Sequence, residues 1–479
     1  GCGGRVFEEK FCMSSISNHL LSPLDATAAP EGWTPWSWRE KPVKHAPVYD
    51  EPGKLDEAVA HLGELPPLVT SWEIERLRNQ IAEAALGKRF ILQGGDCAEV
   101  FSDCRPDILT SKLKILLQMS LVLTDGLKRP VIRLGRFAGQ YAKPRSSPTE
   151  TRDGVSLPSY YGDLINGADF TAESRCPDPS RLLTAYHHAA MTLNFIRSLV
   201  EGGFADLHHP EYWDLGFLGK AGLTAELRAD YRRRAQAVGN AIEVLEIMTG
   251  SHIGELARTE FYTTHEGLSL PYEAALTRQV PRRPNVFYNL GCHLPWIGER
   301  TRSRDGAHVE YFRGIRNPVG VKVGPSMSPD DLLRLLDVLD AGCEPGDLLI
   351  ICRIGAERVA EVLPPLVQAV ARSGHRPAWV CDPMHANTVS TSSGRKTRHV
   401  DSVLKELLES IDVHQANGSV LAGVHFELTA ENVTECIGGA SGVTENDLAA
   451  CYQTHCDPRL NYEQAMEMAF AIARRMERT

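Results

Sequence analysis

Eight short apolar segments rich in β-forming residues alternate with helical segments along most of this chain, and few folds accommodate that alternation. The predicted strands are residues 89–93, 130–134, 260–264, 286–290, 319–323, 348–352, 377–381 and 420–426. Segments between them, such as DDLLRLLDVLDA, place apolar residues at helical spacing. No GxGxxG turn follows a strand, so an open dinucleotide-binding sheet fits less well. The pattern predicts an α/β fold of the (β/α)8 TIM-barrel type.

The predicted barrel accounts for residues 33–479 as one domain. Residues 1–32 are expected to form a flexible arm, or to be a remnant of expression engineering. The irregular segment that continues to about residue 50 is rich in Pro, Trp and Ser, and its tryptophans are expected to pack on another part of the protein. Amphipathic segments before the first strand predict N-terminal helices, the second of which ends at Gly87. The stretch between the second and third strands is too long for one crossover, and it predicts a helical insertion at about 180–258.

Composition and charge exclude several classes of function. The net charge of -10 disfavours nucleic acid as the main partner, because phosphate backbones require a basic surface. The sequence has no apolar run of about 18 residues, so we expect no membrane span. Sparse cysteines without a CxxC pair indicate reduced thiols, and the N-terminal residues lack the character of a signal peptide. These observations predict a cytoplasmic protein.

Cationic side chains follow several predicted strands, at the end of a (β/α)8 barrel where active sites lie. They are Arg136, Lys143, Arg145, Arg300, Lys322 and Arg353. Clustered cations repel one another and each loses hydration on burial, so apolar strands have no packing reason to end this way. Guanidinium groups suit phosphate and carboxylate. The cluster therefore predicts an anionic ligand.

Residues of metal-ligand type follow other predicted strands, and they are Cys97, His385, Glu427 and Asp457. One thiolate, one imidazole and two carboxylates resemble neither a structural zinc site nor an all-oxygen magnesium site. The mixture suits Mn²⁺, Fe²⁺, Co²⁺ or Zn²⁺, and the carboxylates favour Mn²⁺. Taken singly, each residue has an ordinary structural explanation, such as a small buried thiol for Cys97. Their coincidence at successive strand ends predicts a metal site with an open position.

Six segments resemble motifs of the type II (plant-like) 3-deoxy-D-arabino-heptulosonate 7-phosphate (DAHP) synthases. In chain order they are LQGGDCAE, GQYAKPRS, WIGERTR, CDPMHANT, GVHFELTAENVTECIGG and CDPRLN. The resemblance extends from about Trp33 to near the C-terminus, and its motifs are long and stand in a fixed order. It implies a (β/α)8 barrel with N-terminal and inserted helices, in agreement with the strand pattern.

The resemblance implies condensation of phosphoenolpyruvate with D-erythrose 4-phosphate and water to DAHP and phosphate, the first step of the shikimate pathway to chorismate and the aromatic amino acids. The implied metal ligands are Cys97, His385, Glu427 and Asp457. The implied phosphoenolpyruvate contacts are Arg136, Glu299, Arg300, Lys322 and Arg353, of which Lys322, Glu299 and Arg300 are expected to be catalytic. The implied erythrose 4-phosphate contacts are Lys143, Pro144, Arg145 and Ser146.

The resemblance also implies a homo-oligomer (dimer or tetramer), allosteric control through the arm and the insertion, and a chorismate mutase as a candidate partner. One position departs from the family pattern: Tyr161 in LPSYYGDLINGADF stands where the family commonly has arginine. A role for that arginine at the sugar phosphate is therefore in doubt. The alternatives are the same scaffold in a secondary pathway of phenazine or aminoshikimate type, a generic metal-dependent aldolase, and a non-catalytic phosphosugar-binding relative.

Overall fold

Eight parallel strands close into a barrel in the computed structural model, which describes residues 28–145, 147–202, parts of 225–240, 260–280 and 284–477. In chain order they are β1 (Phe90–Gly95), β2 (Val131–Arg136), β3 (Tyr262–Glu266), β4 (Leu294–Ile297), β5 (Val319–Val323), β6 (Leu348–Cys352), β7 (Ala378–Cys381) and β8 (Leu421–Glu427). Each strand pairs with its sequence neighbour, and β8 pairs with β1 to close the ring. The predicted (β/α)8 barrel is confirmed.

Helices precede the barrel and surround it. They are α1 (Pro52–Glu64), α2 (Ser71–Ala85), α3 (Pro106–Leu127), α4 (Ala172–Arg175), α5 (Ser180–Glu201), α6 (Leu270–Ala275), α7 (Ala307–Phe312), α8 (Pro329–Leu339), α9 (Val359–Ser373), α10 (Val400–Ala416) and α11 (Tyr462–Met476). Short 3-10 helices span Ser37–Glu40, Phe101–Asp103, His385–Asn387 and Glu445–Ala449. Among the helices in the described ranges, none is long and apolar enough to cross a membrane.

Local sequence explains where the outer helices begin and which face they bury. Helix α8 begins with a proline at its first position, directly after Ser328, whose hydroxyl accepts a hydrogen bond from the backbone N–H of Asp331 at 3.1 Å. Its buried leucines, Leu332, Leu335 and Leu336, recur at helical spacing and enter the main core. Helices α8, α9 and α10 then pack side by side outside β5 to β7.

The fourth strand of the barrel lies later in the chain than the sequence pattern predicted. The predicted segment 286–290 forms the strand Phe287–Asn289, which pairs in antiparallel fashion with Thr277–Gln279 outside the barrel. The barrel position belongs to β4, whose LPWI sequence contains a proline that argues against a strand. The apolar residues of 286–290 instead fill a second hydrophobic cluster, formed with α1 and α5. The prediction for this strand was therefore wrong.

Helix α2 closes the end of the barrel that lies opposite the carboxyl ends of the strands. Its residues Leu77, Ile81 and Ala84 form one buried cluster with side chains from the barrel strands. A capping box between Thr70 and Glu73 starts the helix, and Gly87 at φ +74° follows its end, as the sequence predicted. The barrel is therefore open at one end only within the described residues.

The segments before β1 and after β2 pack on the outside of the barrel. Trp33 and Trp38 are buried, and the indole N–H of Trp33 donates to the backbone oxygen of Glu310 at 2.9 Å, so the irregular segment before α1 packs through its tryptophans as predicted. Helix α5 is the first predicted helix of the insertion, and it packs against α1 and α3. A hairpin of Thr149–Arg152 and Val155–Pro158 precedes it. Residues 1–27 and most of 203–259 lie outside the described residues.

Two further hairpin strands, Thr388–Ser390 and Lys396–Arg398, follow β7. The chain after β8 runs to α11 without a long element, and a buried network of charges holds it to β1. Arg459 Nη1 lies 2.7 Å from Asp96 Oδ1, and its Nη2 lies 2.8 Å from Glu435 Oε1. Lys112 of α3 contacts the second oxygen of Asp96 at 2.6 Å.

We predict that replacing Arg459 with leucine destabilises the fold by about 3–5 kcal/mol, because it leaves the carboxylates of Asp96 and Glu435 buried with less compensation. The free energy of unfolding in urea measures the loss. Lys405→Ala, which breaks an exposed 3.0 Å pair with Glu357, is the control and is expected to change stability little. Equal effects of the two substitutions would contradict the importance of the buried network.

Candidate active site

A cavity of about 490 Å³ lies at the open end of the barrel, beyond the carboxyl ends of the strands. It is lined by Arg136, Lys143, Pro144, Glu266, Trp296, Gly298, Glu299, Arg300, Lys322, Arg353, His385, Thr388, Lys396 and Asp457. Its volume suits a small molecule, and strand ends are the position of active sites in this fold. All five residues predicted to contact phosphoenolpyruvate line it.

The four predicted metal ligands, which we call the ligand cluster, converge at one side of this cavity. The cluster consists of Cys97, His385, Glu427 and Asp457. One ligand atom of each of Cys97, Glu427 and Asp457 lies within 4.8 Å of the other two. His385 Nε2 lies 2.9 Å from Glu427 Oε1. The loops after β1, β7 and β8 therefore bring together residues that are up to 360 positions apart in the chain.

The ammonium group of Lys143 lies in the middle of the ligand cluster. Its Nζ is 2.9 Å from Cys97 Sγ, 2.9 Å from Glu427 Oε1, 3.3 Å from His385 Nε2 and 3.4 Å from Asp457 Oδ2. One cation thus contacts an atom of all four residues at once. The ammonium occupies the place that a metal ion would take, and its contacts are consistent with a donor set that fits a cation.

Glu427 is fully buried and surrounded by positive charge. Arg398 Nη1 lies 2.8 Å from its Oε2, and Arg136 Nη2 lies 3.2 Å from its Oε1. Burial alone would raise the pKa of Glu427, but His385, Lys143 and Arg398 hold that pKa well below its usual range. Glu427 is therefore an ionised carboxylate in a water-poor environment, as a metal ligand must be.

Asp457 and Cys97 differ in their protonation. Burial works to raise the pKa of Asp457, yet Lys143, with further contributions from Arg398 and Lys396, keeps it far below its usual range. Burial, together with Cys456 and Glu427, raises the pKa of Cys97 well above that of a free thiol. A coordinated metal ion would deprotonate such a thiol. The ammonium of Lys143 is the nearest present substitute, at 2.9 Å from the sulfur.

Asp382 orients both the histidine of the ligand cluster and a catalytic candidate. His385 Nδ1 lies 2.7 Å from Asp382 Oδ2, and because a carboxylate only accepts, the proton sits on Nδ1. Nε2 is then the nitrogen that faces the ligand cluster, 2.9 Å from Glu427 Oε1, and a metal ion would take this nitrogen as its ligand. The same carboxylate accepts from the ammonium of Lys322. The turn at Asp382–Pro383 therefore aims His385 at the cluster.

The same cavity also has a cationic wall, formed by Arg136, Arg300, Lys322 and Arg353, and Arg136 joins this wall to the ligand cluster. The indole ring of Trp296 lies 5.3 Å from the guanidinium carbon of Arg136 and 5.9 Å from Lys322 Nζ. Burial, assisted by Arg136, lowers the pKa of Lys322 to about 8, although Asp382 opposes that shift. Glu299 contacts Arg353 and so holds one guanidinium of the wall in place.

The segment predicted to bind the sugar phosphate borders the ligand cluster. Pro144 lines the cavity, and Arg145 Nη1 lies 3.4 Å from Cys456 Sγ. Tyr161 accepts a hydrogen bond from the backbone N–H of Lys143 at 2.9 Å through its own backbone oxygen, and burial raises the pKa of its phenol. The fourth predicted contact, Ser146, lies outside the described residues.

Several residues of this site escaped the sequence analysis. They are Glu266, Trp296, Asp382, Lys396 and Arg398. The position of Asp382, three residues before His385, was a usable signal, because a carboxylate often fixes the tautomer of a ligating histidine. Lys396 and Arg398 come from the second strand of the hairpin after β7. Two short strands around a Ser-Ser-Gly turn were present in the sequence but were not recognised.

Comparison with known proteins agrees with this geometry. The model of the class-II DAHP synthetase family matches residues 33–473. A phospho-2-dehydro-3-deoxyheptonate aldolase of Neurospora crassa is 45% identical over 458 residues, which cover 92% of this chain and 94% of that protein. A protein of the same name from Streptomyces coelicolor is 45% identical over 437 residues, which cover 91% of this chain and 96% of that protein. The chain therefore belongs to the class-II DAHP synthetase family.

Proposed function

We propose that this chain condenses phosphoenolpyruvate with D-erythrose 4-phosphate and water, giving DAHP and phosphate. The observation that supports this proposal most strongly is that a buried ligand cluster and the cationic wall meet at one cavity of the barrel. A generic aldolase would not require so many cations around its substrate. A non-catalytic relative would have no need to keep all four cluster residues in contact with one cation. The family membership of the chain supports the same reaction.

Phosphoenolpyruvate carries a phosphate and a carboxylate, and the cationic wall supplies positive charge for both. Arg136, Lys322 and Arg353 are held by Trp296, Asp382 and Glu299, so they need little reorganisation when the ligand binds. Such fixed cations would orient C3 of phosphoenolpyruvate towards the aldehyde carbon of the second substrate. Arg300 lines the same cavity from its exposed side and completes the predicted contacts.

Cys97, His385, Glu427 and Asp457 would hold a divalent metal ion, for which we propose Mn²⁺, with Co²⁺, Fe²⁺ and Zn²⁺ as alternatives. When bound, such an ion supplies Lewis acidity towards a carbonyl oxygen. Lys143 cannot keep its present position beside that ion, because both would occupy the centre of the cluster. Since Lys143 also lines the cavity, its displaced ammonium would join Pro144, Arg145 and Ser146 at the erythrose 4-phosphate end.

Lys322 is the candidate for proton transfer. Its pKa of about 8 lets it hold a proton at Nζ near neutral pH and still release it, which a lysine of ordinary pKa does poorly. The proton could pass to the oxygen that becomes a hydroxyl when the new carbon–carbon bond forms. The water that adds at C2 of phosphoenolpyruvate releases a proton as phosphate leaves, and Asp382 would stabilise the return of that proton to Nζ. Glu299 positions Arg353 rather than exchanging a proton in this scheme.

The remaining expectations from the family resemblance stay predictions. They are a homo-oligomer, allosteric control, a chorismate mutase partner and a cytoplasmic location. The secondary-pathway alternative would use the same reaction chemistry, so the site geometry favours neither pathway. Tyr161 packs its ring in the second hydrophobic cluster, and Arg145 lies close enough to affect the pKa of its phenol.

The first experiment measures phosphate release from phosphoenolpyruvate on addition of erythrose 4-phosphate. The protein is stripped with a chelator and then restored with Mn²⁺. We expect release only when both substrates and the metal are present. Lys405→Ala, a surface substitution outside the cavity lining, should behave like the parent protein. Release without erythrose 4-phosphate, or no release with any divalent metal in a folded protein, would contradict the proposed reaction.

Replacing Lys322 with methionine should lower kcat by about 100- to 10,000-fold, the usual contribution of a general acid or base. In the parent protein the protonated form of Lys322 predominates below pH 8, so kcat/KM should fall as pH rises through about 8. Lys322→Arg keeps the charge at all these pH values and should remove that fall. Lys396→Met, at a half-exposed lysine of the same cavity, is the matched control. Near-normal turnover of Lys322→Met would exclude the proton-transfer role.

Replacing Lys143 with methionine should destabilise the metal-free protein by about 3 kcal/mol, because Glu427 and Asp457 lose their shared cation. The same substitution should tighten Mn²⁺ binding at least about tenfold, since the ion no longer displaces an ammonium. Urea unfolding and titration calorimetry measure the two effects. Lys396→Met, which removes a cation 2.8 Å from Asp457 at the rim, should cause much smaller changes. Weaker Mn²⁺ binding by Lys143→Met would refute the displacement.

A further inference from the structure

A second group of metal-ligand side chains lies at the opposite end of the barrel from the catalytic cavity. Asp340 and Cys343 belong to the loop between α8 and β6, and His375 belongs to the loop between α9 and β7. One ligand atom from each residue lies within 4.8 Å of the other two. Loops that lead into the strands form the end of a (β/α)8 barrel that serves stability rather than catalysis.

Two separations among the three ligand atoms lie at or somewhat below those of ligands that share an ion. His375 Nδ1 lies 2.9 Å from Asp340 Oδ2 and 3.4 Å from Cys343 Sγ. Zinc bonds of about 2.0–2.3 Å in tetrahedral geometry keep neighbouring ligand atoms roughly 3.3–3.8 Å apart. A shift of a few tenths of an ångström would therefore admit an ion between them.

Asp340 brings a buried oxygen that lacks a hydrogen-bond partner. The side chain is 2% exposed, and no described residue donates a hydrogen bond to its Oδ1. Burial raises the pKa of Asp340 to about 6, and the nearby carboxylates of Asp347 and Glu344 add to that shift, while His375 opposes it. An unsatisfied buried carboxylate oxygen is costly, and coordination to a cation would remove the cost.

The imidazole of His375 is held in an orientation that suits metal binding. Its Nε2 lies 3.2 Å from Oδ1 of Asp337, which lies in the last turn of α8. A carboxylate only accepts, so this contact favours a proton on Nε2. Nδ1 is the nitrogen that faces Asp340 and Cys343, and its lone pair becomes available to an ion once Asp340 coordinates that ion instead of accepting from His375. A carboxylate behind a histidine is the usual support of a ligating imidazole.

The backbone also places Cys343 towards the other two residues. Cys343 adopts φ +48°, in the left-handed region that non-glycine residues rarely occupy, and its N–H donates to the backbone oxygen of Asp340 at 2.9 Å. This tight turn brings the two ligands of the loop to the same side. Cys343 is exposed, so an ion can enter from solvent and water can complete its coordination.

From these contacts we propose that Asp340, Cys343 and His375 bind a divalent ion of the Zn²⁺ class, which ties the loops before β6 and β7 together. A thiolate, an imidazole and a carboxylate form a donor set for borderline-soft ions rather than for Mg²⁺ or Ca²⁺. The site is independent of the proposed reaction, because it lies at the other end of the barrel. The competing explanation is a protonated His375 that bridges Asp337 and Asp340 without a metal.

Co²⁺ is the probe, because a cobalt–thiolate bond absorbs light and can be counted against bound metal. The full chain is stripped with chelator, kept under a non-chelating reductant and equilibrated with Co²⁺. Cys97→Ser is the background, since it removes the thiolate of the ligand cluster. We expect thiolate absorption to remain in this background, and Cys343→Ser to abolish it with the loss of one bound ion per chain. Cys176→Ser, at another cysteine beside a carboxylate, should change neither quantity.

Two further substitutions keep the test independent of the sulfur. Asp340→Asn should cause the same loss of one ion, and Asp337→Asn should weaken that ion's binding about tenfold. Absence of cobalt–thiolate absorption in the Cys97→Ser protein would overturn the proposal. Absorption that survives Cys343→Ser would do the same. Substitutions that alter only stability, with no change in the metal count, would establish the protonated bridge instead.

Discussion

The open end of this barrel is organised around the negative charge of one buried carboxylate, which side chains from several loops compensate. Glu427 ends the last strand with no exposed surface, and the charges around it come from four other places in the chain: Arg136, Lys143, His385 and Arg398. Strand β8 cannot shift register by one residue without separating this group, because such a slip turns the carboxylate to the other face of the sheet. The loops after β1, β2, β7 and β8 are therefore fixed relative to one another before any ligand binds.

The sequence was sufficient for most of the fold because strands and helices in this architecture alternate at short range. Seven of the eight barrel strands, the closing helix α2 with Gly87 after it, and the residues at the strand ends follow from local patterns. The prediction of strand β4 failed because its four residues include Pro295, whereas the neighbouring apolar segment at 286–290 fits the sequence pattern of a strand better. Both segments are apolar, and only packing against α1 and α5 decides which one enters the barrel.

The site was predictable in its residue types but not in its contacts. Strand ends identify Cys97 and Glu427 as neighbours, yet no local pattern shows that Lys143 takes the centre of the cluster rather than its rim. The contact of Arg398 with Glu427 depends on how the hairpin after β7 packs, and the contact of Asp382 with His385 depends on the turn at the end of β7. The contact between Asp340 and His375 could not be predicted from the sequence either, because thirty-five residues and a whole strand–helix unit separate these two residues in the chain.

Helix α2, which closes one end of the barrel, is synthesised before any of the barrel strands. Its apolar face must wait for β7 and β8, which emerge only after some three hundred further residues, so the helix stays without its final partners during most of translation. Contacts of such long sequence separation slow folding. Such a chain would be exposed to misassembly for as long as its C-terminal third is missing. Truncations that remove β7 and β8 would leave the apolar face of α2 without these two strands.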